Sequence, residues 1–328
     1  MSNRTLCVRA ETWPLAASFT ISRGRRTEAR VVVAEISAGG VTGRGECVPY
    51  AHYGESVEGV VAGIEALAGK IANGLDRLAL QDALAPGAAR NALDCALWDF
   101  EAKRGGRPVW RLAGLAAPAP LITAYTLSLD SAQAMGEVAA ANASRPLLKL
   151  KLGGEGVVER VAAVRAAAPD SRIIVDANEA WTMDLLTRAA PELARLGVEM
   201  IEQPLPARED GALAGFDSPV PLCADESCHD TATLAGLDQR YDIINIKLDK
   251  TGGLTEALAL ADAARAAGLG IMVGCMIGTS LAMAPATLVA ARAAFVDLDG
   301  PLLLARDHEP GIAFEGSVMR PPPPALWG

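Results

Sequence analysis

Apolar and charged positions alternate from Leu148 onward in Leu147-Leu148-Lys149-Leu150-Lys151-Leu152. A strand with that pattern places Leu148, Leu150 and Leu152 on one face and Lys149 and Lys151 side by side on the other. Seven further short apolar runs share its neighbourhood: Leu121 to Leu129, Ile173 to Asn178, Met200 to Pro204, Leu222 to Ser227, Ile243 to Asp249, Gly270 to Cys275 and Phe295 to Asp299. Amphipathic helical stretches separate them, and the repeat of about 20 to 27 residues is the length one βα unit needs. Eight such units predict a closed parallel barrel, with its outer face under helices and its inner face open to chemistry at the carboxyl end. An open doubly wound sheet is the alternative, but the Gly-rich phosphate loop expected after its first strand is missing. For the two lysines, the alternative is an edge strand with both side chains solvated.

The N-terminal part reads differently. Leu6 to Val8, Ala29 to Ile36 and Val41 to Glu46 carry strand patterns, with a Gly39-Gly40 hairpin turn between the last two. Helical spacing follows over residues 56 to 80 and 87 to 104. The basic tip Ser22-Arg23-Gly24-Arg25-Arg26 is expected to be a loop, either a lid spanning about 19–26 or a plain solvated turn. Pro118 and Pro120 mark a boundary. The expected organisation is an α+β cap over 1–118, a barrel over 119–302, and a tail over 303–328 that returns to the cap.

Composition narrows the partners. A formal net charge of -9 without a basic run repels nucleic acid and anionic membrane surfaces. No apolar run reaches spanning length, and the six cysteines are scattered without a C-x-x-C. A cytoplasmic protein with reduced thiols and a small-molecule substrate is expected; homo-oligomerisation is left open.

The same period-two reading puts charged residues at the C-terminal ends of several barrel strands. Asp176 and Asn178 oppose Ile173 and Val175; Glu202 opposes Ile201; Asn245, Lys247 and Asp249 oppose Ile244, Ile246 and Leu248; Asp297 and Asp299 oppose Val296 and Leu298. Barrel catalytic groups gather on that rim. Asp176, Glu202 and Asp225 lie on successive strands, and three carboxylates share a pocket only around a cation; hard oxygen donors suit Mg²⁺ or Mn²⁺ rather than zinc. On the fifth strand Asp225 and Glu226 face opposite ways, and alternation with Cys223 favours Asp225. Lys247 falls nearly across the barrel from Lys151. A base on either side of a metal-bound substrate predicts racemisation or epimerisation through an enediolate, with like charge and burial leaving a lysine of the Lys149/Lys151 pair neutral near pH 7. His52, His229 and His308 are isolated and read as ordinary polar or loop residues.

These motifs together resemble the enolase superfamily and its muconate-lactonising branch over nearly the full chain. The carriers are Lys149-Leu150-Lys151, Asp176-Ala177-Asn178, Glu202-Gln203-Pro204, Ala224-Asp225-Glu226-Ser227 and Asn245 to Gly253. That resemblance implies a capped (β/α)7β barrel, Mg²⁺ on Asp176, Glu202 and Asp225 with Asn178 nearby, and Lys151 and Lys247 as the acid/base pair. It also assigns Lys149 to lowering the pKa of Lys151 and to the substrate carboxylate. Asp297-Leu298-Asp299, Tyr125-Thr126 and Gly274 to Ser280 are similar to the dipeptide epimerases. Asp297 and Asp299 would then receive the α-ammonium of a dipeptide, Thr126 and Met276 would line the pocket, and Arg23, with Arg25 as fallback, would meet an anionic side chain in an L-Ala-D/L-Glu-type reaction. A cycloisomerase or dehydratase of the same branch, such as muconate lactonisation or o-succinylbenzoate synthesis, and a non-catalytic binder are the competing expectations.

Overall fold

A computed structural model describes residues 3–328. Three antiparallel strands open the chain: β1 (Thr5–Ile21), β2 (Gly24–Ala38) and β3 (Val41–Cys47). Here the first expectation needs correction. The tip around Arg23 is not a free loop; cross-strand pairing resumes beyond an irregularity between Pro14 and Phe19 and runs to Ile21 and Gly24, so only Ser22 and Arg23 turn. The long helical stretch also breaks into α1 (Val57–Glu65), α2 (Ala68–Ala72) and α3 (Arg77–Ala83), with a left-handed Gly74 between the last two. Helix α4 (Ala88–Gly105) follows, ended by left-handed Gly106, and then the single turn α5 (Val109–Leu112). Alternate positions of β3 are glycines because α4 lies directly on them: a Cβ on Gly43 or Gly45 would collide with the α4 backbone at Ala96 and Phe100 or at Ala92.

Leu121 to Leu129 is two strands. β4 (Leu121–Ile122) leaves the barrel to pair with the tail, whereas β5 (Tyr125–Leu127) begins the barrel. Then come β6 (Leu147–Lys151), β7 (Arg172–Asp176), β8 (Val198–Glu202), β9 (Leu222–Ala224), β10 (Ile243–Ile246), β11 (Gly270–Gly274) and β12 (Phe295–Asp297). All neighbouring pairs are parallel, and the Ala124 N–H closes the ring on the Val296 carbonyl at 2.7 Å. Between them run α6 (Ala132–Ala141), α7 (Val157–Ala167), α8 (Met183–Arg195), the single turn α9 (Leu248–Thr251), α10 (Leu254–Ala266) and α11 (Ser280–Ala290); a last turn, α12 (Gly300–Leu303), follows β12.

Leu148, Leu150 and Leu152 join the large core between strands and helices, each burial contributing about 2 kcal/mol. The opposite face starts with a separate apolar layer of Ala124, Leu147, Ile174, Met200, Cys223, Ile243, Met272 and Phe295, one residue from each strand or its immediate approach. This layer forms the barrel floor. In the tail, β13 (Phe314–Glu315) and β14 (Val318–Met319) extend the small sheet with β4. The last residues reach the cap, where Trp327 Nε1 donates to the Cys95 carbonyl at 3.0 Å and the Gly328 N–H to Asp99 at 2.7 Å. Among the described residues no helix is long and apolar enough to cross a membrane.

Candidate active site

Two residues above the floor, the inner face turns polar. On β6, Lys149 and Lys151 point inward with Leu147, as alternation requires. Lys149 is 1 % exposed and touches three carboxylates: Glu202 Oε2 at 2.6 Å, Asp297 Oδ2 at 2.7 Å and Asp176 Oδ2 at 3.1 Å. Lys151, nearer the mouth, donates to Asp176 Oδ2 at 2.6 Å. Burial pushes the Lys149 ammonium toward its neutral form, but Asp297, Glu202 and Asp176 outweigh it and hold its pKa well above the usual lysine range. The expectation that like charge dominates at Lys149 is therefore corrected: three anions face that one cation.

Across the ring, four strands from β6, stands Lys247. It donates to Asp225 Oδ2 at 2.6 Å, and burial, which opposes its charge, is outweighed by Asp225 and Glu202. Cys223 lies in the floor layer and Asp225 on the same inner side, so the parity argument matches the placement of Asp225. Glu226 lines the same pocket and reaches the hairpin tip, where it accepts from Arg23 Nη2 at 2.7 Å. Asp249 departs from expectation. The paired strand ends at Ile246, Lys247 is still extended, and the turn α9 then swings Asp249 out to the cap, where it accepts from Val48 N at 3.0 Å and Asn91 Nδ2 at 2.8 Å. In its place Lys250, which sequence reading missed, points inward and donates to Asp225 Oδ1 at 2.7 Å and to the Asn245 carbonyl at 2.9 Å. Period-two alternation ends where the chain turns helical at Leu248, so only knowledge of the turn would have found it.

The loops that follow the strands hold the acids from behind. Asn178, in the left-handed region at φ 44°, donates its N–H to Asp176 Oδ1 at 2.9 Å. Gln203, at φ 37°, uses its Oε1 to accept from Asp225 N at 2.8 Å and Ser227 N at 3.1 Å, which aims the β9 loop. Asn245 Nδ2 donates to Glu202 Oε1 at 2.7 Å. Non-glycine residues in such backbone states are strained and recur at functional sites.

Electrostatically the acids split. Burial opposes ionisation of Asp176 and Asp225, but Lys151 and Lys149 hold the first, and Lys247 and Lys250 the second, below the usual carboxylate range. Glu202 goes the other way, pushed up to about 7 by burial and then by Asp176. Glu226 is likewise pushed up to about 7 by burial and then Asp225. Among the described residues, no group of three or more His, Cys, Asp or Glu side chains converges as a preformed metal cluster, because lysine ammoniums sit between the acids. The donors nevertheless suit a hard divalent cation. All are oxygen, all are buried, and Glu202 Oε2, though 2.6 Å from Lys149 Nζ, makes no aligned hydrogen bond.

Above this floor a pocket of about 730 Å³, part of it open to solvent, is lined by Lys151, Lys247, Asp225, Thr126, Met276, Asn178 and both Asp297 and Asp299. Asp299 accepts from Thr126 N at 2.6 Å, and the Thr126 hydroxyl lies 3.4 Å from Asp297 Oδ1. Asp299 is pushed up to about 7 by burial and then by Asp297, whereas Asp297 itself holds the Lys149 ammonium at 2.7 Å. The lip comes from the hairpin tip and from Tyr50 and Tyr53, neither of which the sequence singled out. Arg23 reaches over the mouth to Glu226 Oε1 at 2.7 Å, Tyr50 Oη at 2.9 Å and the Asn178 carbonyl at 3.1 Å. Arg25 is not on the pocket side; alternation along β2 gives that place to Arg26, whose guanidinium lies over the Tyr50 ring at 5.3 Å. His52 pairs with Glu179 and His229 packs edge-on against Tyr53, both outside the ring of lysines.

Opposed buried lysines with carboxylates between them, at the carboxyl rim of a capped parallel barrel, define an acid/base enzyme of the barrel class. Comparison with known proteins supplies the family. Residues 3–114 match the mandelate racemase / muconate lactonizing enzyme N-terminal domain, and residues 132–320 the enolase C-terminal domain-like family. The chain belongs to the mandelate racemase/muconate lactonizing enzyme family of the enolase superfamily. It is 49% identical over 313 residues to the L-Ala-D/L-Glu epimerase of Escherichia coli (strain K12), covering 95% of this chain and 98% of that one. With an N-acetyl-D-glutamate racemase of Pseudoalteromonas sp. it shares 47% identity over 87% of this chain and 91% of the relative. An enolase family member from Agrobacterium tumefaciens with homology to dipeptide epimerases, solved with sodium and L-Ala-L-Glu, superposes with a TM-score of 0.97 at 56% identity, covering 99% and 100% of the two chains. The dipeptide epimerase of Enterococcus faecalis V583, complexed with Mg and L-Leu-L-Tyr, gives 0.90 at 31% identity over 98% and 97%.

Proposed function

We propose that this protein epimerises a dipeptide of the L-Ala-D/L-Glu kind at the α-carbon of its C-terminal residue, with Mg²⁺ as cofactor. One observation carries the reading: Lys151 and Lys247 line one pocket from opposite walls, and an acidic pair, Asp297 and Asp299, lines it between them and the lip. The epimerases among its relatives support it.

Asp176, Glu202 and Asp225 would hold the cation, for which their buried oxygens and the poorly satisfied Glu202 are suited. Bound there, Mg²⁺ supplies positive charge to the substrate carboxylate, without which the adjacent C–H is too weakly acidic. Everything else is done by side chains. Lys151 takes the α-proton from one face and Lys247 returns one to the other, each lysine alternating between base and acid with the direction of reaction. Lys149, deeper than either and fixed by three carboxylates, keeps positive charge under the substrate carboxylate. Asp297 and Asp299 anchor the α-ammonium, a charge-assisted contact that an amine-free diacid would not make. Arg23 and the neighbouring basic lip favour an anionic C-terminal side chain.

In deuterium oxide with Mg²⁺, L-Ala-L-Glu should take up one deuterium at the glutamyl α-carbon and accumulate L-Ala-D-Glu. Neither exchange nor inversion across a dipeptide panel would end the reading. Asp297→Asn should cut kcat/KM for L-Ala-L-Glu by roughly 10- to 100-fold, the worth of a charge-assisted bond. Undiminished turnover of N-acetylglutamate or another amine-free acid by the same variant would instead favour a different reaction of the family.

A further inference from the structure

Lys247 is the last residue in strand geometry before α9, and its carbonyl accepts from both Lys250 N and Thr251 N at 3.0 Å. Its backbone is therefore tied to the turn that follows, and that turn is gripped from outside the barrel by one face of the cap helix α4. Arg90 donates to the Thr251 carbonyl at 2.7 Å and the Gly252 carbonyl at 3.2 Å. Asn91 donates to Asp249 at 2.8 Å, and Asp94 accepts from Thr255 N at 2.9 Å and from its hydroxyl at 2.7 Å. Close approach is possible because Gly252 and Gly253 present no Cβ, at φ +71° and +115°; a side chain on either would run into Arg90 or Asp94. The grip continues inward, since Lys250 from the same turn holds Asp225, which receives Lys247. On the Lys151 side the cap reaches in only through its hairpin tip, where Ser22 and Arg23 donate to the Asn178 carbonyl; among the described residues no cap helix grips the turn behind that strand, which is flanked by β5 and β7 and covered by barrel helices.

We propose that Arg90 and Asn91 of the cap helix are positioning residues for Lys247, so that docking of the cap sets the geometry of one of the two bases and leaves the other to the barrel. The proposal rests on the epimerase reading for its kinetic consequence and on the contacts alone for its structural one. A base displaced by a fraction of an ångström loses proton-transfer rate steeply, whereas its partner across the ring keeps its alignment.

The test compares α-deuterium uptake from L-Ala-L-Glu and L-Ala-D-Glu separately, in wild type and Asn91→Ala, with Lys247→Ala identifying the epimer whose proton Lys247 removes. Asn91→Ala should slow exchange of that epimer roughly tenfold and leave the other within about twofold. Equal slowing of both, or of neither, overturns the proposal. Should Asn91→Ala not fold, Arg90→Lys, which keeps the charge but loses the forked donor pair, is read the same way. Amide hydrogen exchange of residues 248–253 gives a readout independent of turnover: it should speed up in the variants while β6 amides stay protected, and unchanged protection of the turn overturns the assignment. A wild type inert toward both epimers would sink the epimerase reading, and the amide measurement would still decide the clamp.

Discussion

The two lysine-bearing walls are built by different means. On the β6 side, both lysines belong to one regular strand, hydrogen-bonded on each edge, and their direction follows from alternation alone. On the β10 side the strand stops, a single helical turn intervenes, and Lys247 and Lys250 reach the same carboxylate from consecutive geometries. That wall takes its shape from the cap, through Asp249, Thr251, Gly252 and Thr255. A reaction that needs two bases of matched reach thus draws one from the barrel's own regularity and the other from an interface.

The contrast can be broken most completely at the lysines. Lys151→Ala and Lys247→Ala should each abolish inversion, a loss of about 10³-fold, while each retains proton exchange from one epimer; undiminished inversion in both variants would refute the two-base scheme. Removing the acid behind the β6 wall comes next: Asp176→Ala should eliminate saturable Mg²⁺ binding in calorimetry, and an unaltered titration would exclude it as a ligand. Gly253→Ala attacks only the β10 wall, and forcing a side chain into a left-handed position against Asp94 should lower stability by roughly 3–5 kcal/mol in urea unfolding.

The smallest expected effect sharpens the comparison through pH. Asp249 is pushed up to about 7 by burial, with Val48 N and Asn91 partly offsetting it. In the unfolded chain the same group ionises near the ordinary 3.8. Both states are protonated below that value, so no penalty exists; between 3.8 and about 7 only the unfolded state ionises, and stability falls as pH rises; above 7 the penalty is constant. Asp249→Asn keeps an acceptor for both donors and removes the titration. It should melt like wild type at pH 4 and above it at pH 8, by at most about 4 kcal/mol. A gap that does not widen with pH would show that Asp249 is ionised throughout.

How legible each wall was in the sequence follows the same division. Alternation placed Lys149, Lys151, Asp176, Glu202 and Asp297 on the inner face because each lies within a strand, and Asp299, two residues past β12, also lines the pocket. Alternation misplaced Asp249 and passed over Lys250, since a residue beyond a strand end obeys the following turn, and that turn is set by cap contacts some 160 positions away in the chain. Arg26 stayed hidden because the tip reads as a loop in the sequence; once it is paired, alternation along β2 puts Arg26 and not Arg25 on the pocket side. Charge balance was the other blind spot. Counting lysines along β6 suggests mutual repulsion at Lys149, whereas closure of the ring brings it three anions.

The apolar layer under the lysines makes the barrel a cup and not a tube. Leu147, Ile174, Met200, Phe295 and their neighbours fill the barrel beneath the pocket, so reactant and product share the doorway overhung by the Arg23 hairpin. Whatever governs admission also governs departure, and a change that tightens the lip around a preferred dipeptide will delay the release of its mirror-centred product by the same contacts.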